Sequence, residues 1–258
     1  MNESDFSKNI AIIGIGQIGG SLALAFKRFL NNSTISAWDC NTKLLNQAKG
    51  IIDYQANSLQ EAVRNADIVW LATPVDTLLE LIPTIITINK NALFCDVGSS
   101  KIQIVNSINA VRKKCRFIST HPFAGTEKTG PASWDAHLFL DKTFFIIPTK
   151  KSSLDDISFI QSLIKKIHAI PYLIDASTHD KILAHTSHLP FAVSLALQYM
   201  LDELNLKNQH IFEGPAFKSM TRIAKCPIST MKPILSTNKK FIKPAKEIFL
   251  KHLANILK

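Results

Sequence analysis

Short apolar runs alternate with longer amphipathic stretches through the first two thirds of the chain. NIAIIGI (9–15), TISAWD (34–39), DIVWLAT (67–73), ALFCDVG (92–98), RFISTHP (116–122), TFFIIP (143–148) and IPYLID (170–175) are too short and too uniformly apolar for surface helices and predict buried strands. Between them, residues 19–30, 58–65, 76–87, 100–113 and 154–168 carry apolar positions three and four apart and predict helices. Strand, helix, strand in repetition predicts an α/β fold with a doubly wound, mostly parallel sheet. After Asp175 the strand signals stop: Ser177 can cap a long helix that Pro190 would kink, and the rest reads helical apart from the loop QHIFEGPAF. The chain therefore divides into residues 1–175 and an all-helical domain over residues 176–258, meeting at a packed joint, since no low-complexity linker separates them.

The turns between these elements carry candidate chemistry. GIGQIG sets Gly14, Gly16 and Gly19 directly after the first strand and at the start of a helix. That spacing serves a dinucleotide: the first glycine makes the tight turn, the second lets the pyrophosphate approach the backbone, and the third lets helix pack on strand. Gln17 and Ile18 lie inside the same loop, whose amides face the anion at the helix N-terminus. Asp39 closes the second strand twenty residues after Gly19, where a carboxylate hydrogen-bonds the adenosine ribose and repels a 2′-phosphate, favouring NAD over NADP. The alternatives are a tight glycine turn without a ligand and a helix-capping Asp39. The first domain is thus expected to be Rossmann-type. In DVGSSK, Asp96, Ser99 and Lys101 fall at the carboxyl edge of the sheet, where polar side chains would face the nicotinamide crevice, unless Ser99 or Ser100 merely caps the next helix.

Composition narrows the setting. The chain has 258 residues, 46% of them hydrophobic and 19% charged, enough for one large core or two modest ones. No run of 18 apolar residues appears and the segment MNESDFSKN is polar, so neither a membrane span nor a secretion signal is expected. Cys40, Cys95, Cys115 and Cys226 are scattered without C-x-x-C spacing, which argues against a zinc ribbon or disulfide framework and suits a reducing cytoplasm. The net charge of +10 admits nucleic acid, an acidic surface, an anionic small substrate or a plain solvated lysine surface. Much of the excess sits on Lys239, Lys240, Lys243, Lys246, Lys251 and Lys258 around Phe241, Ile248, Phe249, Leu253 and Leu257. That pattern is a helix with a wet basic face, and no nucleic-acid partner is expected.

The segments GIGQIGGSLA, ADIVWLATPV, DVGSSK, HPFAGTEKTG, the pair HD at 179, TSHLP at 186 and TRIAK at 221 occur in order over residues 9–239, and together they resemble the prephenate and arogenate dehydrogenases of tyrosine biosynthesis. The resemblance implies an NAD-binding domain followed by a helical substrate and dimerisation domain, hence a homodimer, and an oxidative decarboxylation of prephenate, with arogenate as the alternative substrate. A non-catalytic NAD- or metabolite-binding homologue is the other alternative. Thr73 and Pro74, in ATPV, would line the cofactor. His121 would take the proton of the substrate 4-hydroxyl, since imidazole titrates near neutrality, and Ser99 would hydrogen-bond the same hydroxyl. Ala124 and Gly125 would leave room for ring and nicotinamide to stack. Thr126 and Glu127 of the loop, and His179 and His188 of the helical domain, would contact the substrate. Arg222 would clamp a substrate carboxylate with its planar fork, on a helix that the flanking Ile223 and Ala224 turn inward. Without the resemblance, His121 reads equally as a satisfied strand-end histidine and Arg222 as a surface ion-pair partner. No metal site is expected from His179, His185 and His188, since no carboxylate or cysteine completes a shell at fitting spacing. Three positions depart from the family pattern: Phe191 stands where many members carry a second histidine after SHLP, Ser219 where aspartate is common, and Met231 where tryptophan is usual. The loss of that histidine weakens the case for prephenate against arogenate.

Overall fold

The computed structural model describes residues 7–258. Among the described residues the strands are β1 (Asn9–Ile13), β2 (Thr34–Trp38), β3 (Tyr54–Gln55), β4 (Ile68–Leu71), β5 (Leu93–Asp96), β6 (Arg116–Pro122), β7 (Thr143–Pro148) and β8 (Ile170–Leu173). They form one sheet in the order β3-β2-β1-β4-β5-β6-β7-β8. Helices α1 (Gln17–Phe29), α2 (Thr42–Gln47), α3 (Leu59–Arg64), α4 (Val75–Ile85), α5 (Ile102–Ala110) and α6 (Leu154–Lys166) connect them. Every neighbouring pair is parallel except β6 and β7, whose register sets His121 opposite Phe145. An antiparallel pair needs no crossover helix, so residues 123–142 make the return with a single 3₁₀ turn at Pro131–Ser133. Strand order reverses between β1 and β4, and the crevice at the carboxyl ends of those two strands is where an open α/β sheet takes its ligand.

The predicted strands form because helices cover them. Ile10–Ile13, all of β4 and all of β5 are buried, as parallel strands covered on both faces must be. Trp70 lies at the centre, its ring 5.6 Å from that of Phe26 on α1 and 6.0 Å from that of Phe144 on β7. Full burial of one such side chain contributes about 1.5–3 kcal/mol over leaving it in water. The sequence pattern misses α2, six residues long, and β3, a residue pair.

Packing divides the chain between Ala176 and Ser177. The second unit holds α7 (Ala176–Leu183), α8 (Leu189–Asp202), α9 (Pro215–Thr221), α10 (Ile228–Thr237) and α11 (Lys239–Ile256). Three expectations change here. Helix α7 begins at Ala176, so Ser177 lies inside its first turn instead of capping it. Pro190 does not kink a single helix: a π-helical turn spans Ala184–His188, closed by Leu189 N–H donating to the Ala184 carbonyl, and Pro190 stands in the first turn of α8. Proline cannot donate to the carbonyl four residues back, and the wider turn absorbs that break. The expected loop QHIFEGPAF is partly ordered, as a 3₁₀ turn at Gln209–Phe212 followed by α9, which Pro215 opens with its preset φ. Among the described residues no helix is long and apolar enough to cross a membrane.

Candidate active site

The three fingerprint glycines do different work. Gly14 sits at φ +93°, and a Cβ there would lie 2.7 Å from the Ala72 carbonyl oxygen. A Cβ on Gly19 would lie 1.9 Å from the Gly14 oxygen, so that glycine is demanded by the packing of α1 on its own turn. Gly16 is not demanded by the protein: nothing stands within 4 Å of a Cβ built there. The space it leaves is open above the N-terminus of α1, where amides are available to an anion. Nearby, after β4, Thr73 holds a buried hydroxyl with no hydrogen-bond partner, and Pro74 precedes the first turn of α4. An open backbone approach and an unsatisfied buried hydroxyl at the carboxyl edge fit a bound dinucleotide. Asp39 is held in place at the end of β2. Ile15 N–H donates to its Oδ2 at 2.7 Å and Asn41 N–H to its Oδ1 at 2.8 Å, which leaves each oxygen a lone pair for a ribose hydroxyl.

The loop after β6 is tied to this turn. Gln17 Nε2 donates to Thr126 Oγ1 at 2.7 Å and Gln17 Oε1 accepts from Thr126 N–H at 2.9 Å. The backbone donor fixes which end of the amide is oxygen. Gly125, at φ +135°, adopts a backbone that other residues rarely tolerate, and a Cβ there would approach Gln17 Oε1 to 3.2 Å. A second tie lies farther along the loop, where Trp134 Nε1 donates to the Gly16 carbonyl at 3.1 Å and Asp135 N–H to Ser21 Oγ at 3.1 Å. A Cβ on Gly20 would lie 2.3 Å from the Trp134 ring. Sequence reasoning passed over Trp134 and Gly20. The only signal was a fourth glycine that the fingerprint does not require.

His121, the last residue but one of β6, has 7% of its surface exposed, its ring 6.1 Å from that of Phe145 and 6.2 Å from that of Phe123. Beneath it lies a fully buried polar cluster. Lys101 Nζ donates to Asp96 Oδ2 at 2.5 Å, to Ser119 Oγ at 3.1 Å and to the Thr120 carbonyl at 2.6 Å. Asp96 also accepts from Ser119 Oγ at 2.6 Å and from Gly98 N–H at 2.8 Å. This corrects the expectation that Asp96 and Lys101 face the crevice: both are 0% exposed, and their charges are spent on one another. Only Ser99, between them in sequence, keeps partial exposure. The cluster thereby fixes both the Gly98–Ser100 turn and the Thr120 backbone that leads into His121. Burial, and then the Asp96 charge, push the neighbouring Cys95 thiol well above its usual range, so Cys95 offers no thiolate. Glu127 is half-buried on the same loop as Thr126.

In the helical unit, His179 and His188 are buried, and Asn238 lies between their segments. His179 Nδ1 meets Asp180 Oδ1 at 2.9 Å, and Asn238 Nδ2 reaches both the Asp180 carbonyl at 2.7 Å and His188 Nδ1 at 2.9 Å. His185 instead turns Nδ1 to the Lys181 carbonyl at 2.8 Å. Among the described residues no three His, Cys, Asp or Glu side chains converge as a metal site. Arg222 is exposed and begins the 3₁₀ turn Arg222–Lys225, so the expected inward-facing helix ends just before it. Cys226 is held extended ahead of Pro227, which stops the helix from continuing. Phe191 is 2% exposed in the first turn of α8.

The sequence matches the family description "Prephenate dehydrogenase, nucleotide-binding domain" over residues 22–173 and "Prephenate dehydrogenase, dimerization domain" over residues 175–258. The cyclohexadienyl dehydrogenase of Zymomonas mobilis is 29% identical over 96% of this chain and 87% of its own length, and the prephenate dehydrogenase of Lactococcus lactis is 32% identical over 96% and 70%. Among solved structures, prephenate dehydrogenase from Aquifex aeolicus in complex with hydroxyphenyl propionate and NAD+ superposes with a TM-score of 0.89 at 30% identity, over 98% of this chain and 90% of that one. Arogenate dehydrogenase from Synechocystis shares the fold at a TM-score of 0.78 and 23% identity, covering 96% of this chain and 90% of its own. With both halves matched in order and the fingerprint turn, the β6 loop and the helical unit all in place, the chain belongs to the prephenate dehydrogenase family.

Proposed function

We propose that the chain oxidises and decarboxylates prephenate to 4-hydroxyphenylpyruvate, with NAD as its cofactor. The observation that carries the reading is the double hydrogen bond between Gln17 and Thr126, which joins the dinucleotide turn to the loop that follows His121 and bears Glu127. Bound NAD supplies the hydride acceptor. His121 takes the proton from the 4-hydroxyl as the hydride leaves the carbon that bears it, and Ser99 hydrogen-bonds that oxygen. Oxidation creates a ring ketone, the bond to the ring carboxylate breaks to release CO2, and its electron pair completes the aromatic ring. The proton held on His121 then returns to the phenolate oxygen. Arg222 holds a substrate carboxylate without being consumed, and Thr126, Glu127, His179 and His188 complete the substrate contacts. Asp39 supports NAD over NADP by its charge.

A second reading, arogenate as substrate, is favoured by Phe191, an apolar ring where a histidine would help hold a pyruvyl side chain. The helical unit's match to a dimerisation domain supports a homodimer, and four free cysteines support a reducing, cytoplasmic setting. The test is NADH formation, followed by absorbance, with prephenate and arogenate offered separately and each repeated with NADP. Turnover of prephenate with NAD is expected. Turnover of arogenate alone would replace the first reading with the second and tie Phe191 to the choice, and no turnover while NAD still binds would overturn both.

A further inference from the structure

We infer that Asn238 is a positioning residue that holds His188 in its neutral, Nε2-protonated tautomer. The Asp180 carbonyl can only accept a hydrogen bond. Asn238 lies 2.7 Å from it, so the amide must turn its nitrogen that way, because the opposite orientation would set oxygen against oxygen. That nitrogen has two hydrogens, and His188 Nδ1 lies 2.9 Å from it on the other side. Nδ1 must therefore accept. The imidazole proton is left on Nε2, and protonating Nδ1 as well would press N–H against N–H.

The surroundings keep this arrangement fixed. Asn238 is 1% exposed at the joint of α10 and α11, and His188, also 1% exposed, closes the π-helical turn Ala184–His188. Water therefore cannot readily replace the amide as the donor to Nδ1. Of the adjoining titratable groups, His179 and Asp180 are engaged with each other through His179 Nδ1 and Asp180 Oδ1 at 2.9 Å, and His185 turns its Nδ1 to the Lys181 carbonyl. Asn238 thus couples the backbone of the His179–Asp180 pair to the ring of His188. On the reading that His188 contacts the substrate, on which this step rests, the lock makes its Nε2 a permanent donor toward a substrate oxygen and bars it from acting as a base. That separates its role from the one proposed for His121.

The test reads the tautomer directly, without substrate. Long-range proton–nitrogen NMR on the ¹⁵N-histidine-labelled chain, with His188 assigned by its loss in His188→Gln, is expected to show a pyridine-like Nδ1 and a protonated Nε2 at neutral pH. Asn238→Asp presents acceptors only, and is expected to convert His188 to an Nδ1-protonated or doubly protonated ring. Asn238→Ala is expected to give a mixture of tautomers. In turnover, Asn238→Asp should raise KM for the carboxylate substrate roughly tenfold with NAD affinity unchanged. An Nδ1-protonated His188 in the parent protein, or an unchanged tautomer in both variants, would overturn the proposal. Because the NMR result needs no turnover, failure of the assigned reaction and failure of the lock are told apart, and the parent spectrum decides even if a variant does not fold.

Discussion

Gln17 and Thr126, 109 residues apart, hold each other through both ends of one amide. The first belongs to the dinucleotide turn and the second to the loop that follows His121, so the two halves of the proposed chemistry share one hydrogen-bonded junction. Both bonds are near solvent, and each is worth about 0.5–1.5 kcal/mol net. Gln17→Ala is expected to raise KM for NAD and for the carboxylate substrate together, by roughly 3- to 10-fold each. Gln17→Glu should cost less, because it keeps the acceptor for Thr126 N–H. Steady-state kinetics with each ligand varied checks this, and a change in only one of the two constants would show that the tie does not join the loops in solution.

The glycines of the fingerprint separate ligand binding from folding. Gly16→Ala adds a methyl group where the protein has nothing within 4 Å. Thermal unfolding of the NAD-free protein should therefore stay close to the parent, while NAD affinity falls tenfold or more, about 1.4 kcal/mol or above. Gly19→Ala would drive its methyl to 1.9 Å from the Gly14 oxygen, and should cost about 3 kcal/mol or more of stability. Equal losses of stability in the two variants would remove the ligand as the reason for Gly16.

Why some of this was legible in the sequence and some was not follows from what sets each feature. Strands such as Ile68–Leu71 are buried on both faces, so their composition alone announces them. The direction of β7 has no such signature: the same TFFIIP would suit a parallel strand, and the turn back from β6 depends on the path of the loop at Pro131–Ser133. Gly14 and Gly19 are legible because the turn itself demands them, the first by its φ of +93° and the second by the Gly14 oxygen 1.9 Å from a Cβ built on it. Lys101 was misplaced because a lysine is expected at the surface, and only the tertiary arrangement of Asp96, Ser119 and the Thr120 carbonyl makes its burial tolerable. Trp134 and Asn238 were missed for a related reason. Their partners, Gly16 at 118 residues' separation and His188 at 50, are brought near only by the fold.

The Asp96–Lys101 pair makes a stability prediction with a sign that distinguishes pairing from mere burial. Both side chains are fully buried, so removing either partner leaves an uncompensated charge in the interior. Lys101→Met and Asp96→Asn are each expected to cost about 3–5 kcal/mol in denaturant unfolding. The double variant should lose clearly less than the sum, because neither charge then remains buried alone. Additive losses would mean that the two side chains stabilise the turn independently, through Gly98 and Thr120, and not as a pair.

His121 and Arg222 should fail in different ways, and the difference tests their roles better than the size of either loss. A base acts only as the proton moves, so His121→Asn, which keeps a polar side chain of similar reach, should lower kcat by about 10²–10⁴ with little change in KM or NAD binding. A clamp acts whenever the carboxylate is bound, so Arg222→Ala should raise KM for the carboxylate substrate by about a hundredfold, with kcat far less affected and NAD binding near normal. Arg222→Lys should recover only part of that loss, since an ammonium keeps the charge but not the two parallel donors of the guanidinium fork. Arg222 is exposed on a 3₁₀ turn, and thermal unfolding of each variant separates a loss of binding from a loss of folding. If Arg222→Ala instead weakened NAD binding and substrate binding alike, or unfolded the helical unit, the arginine would be structural and the carboxylate clamp would have to be sought on another side chain.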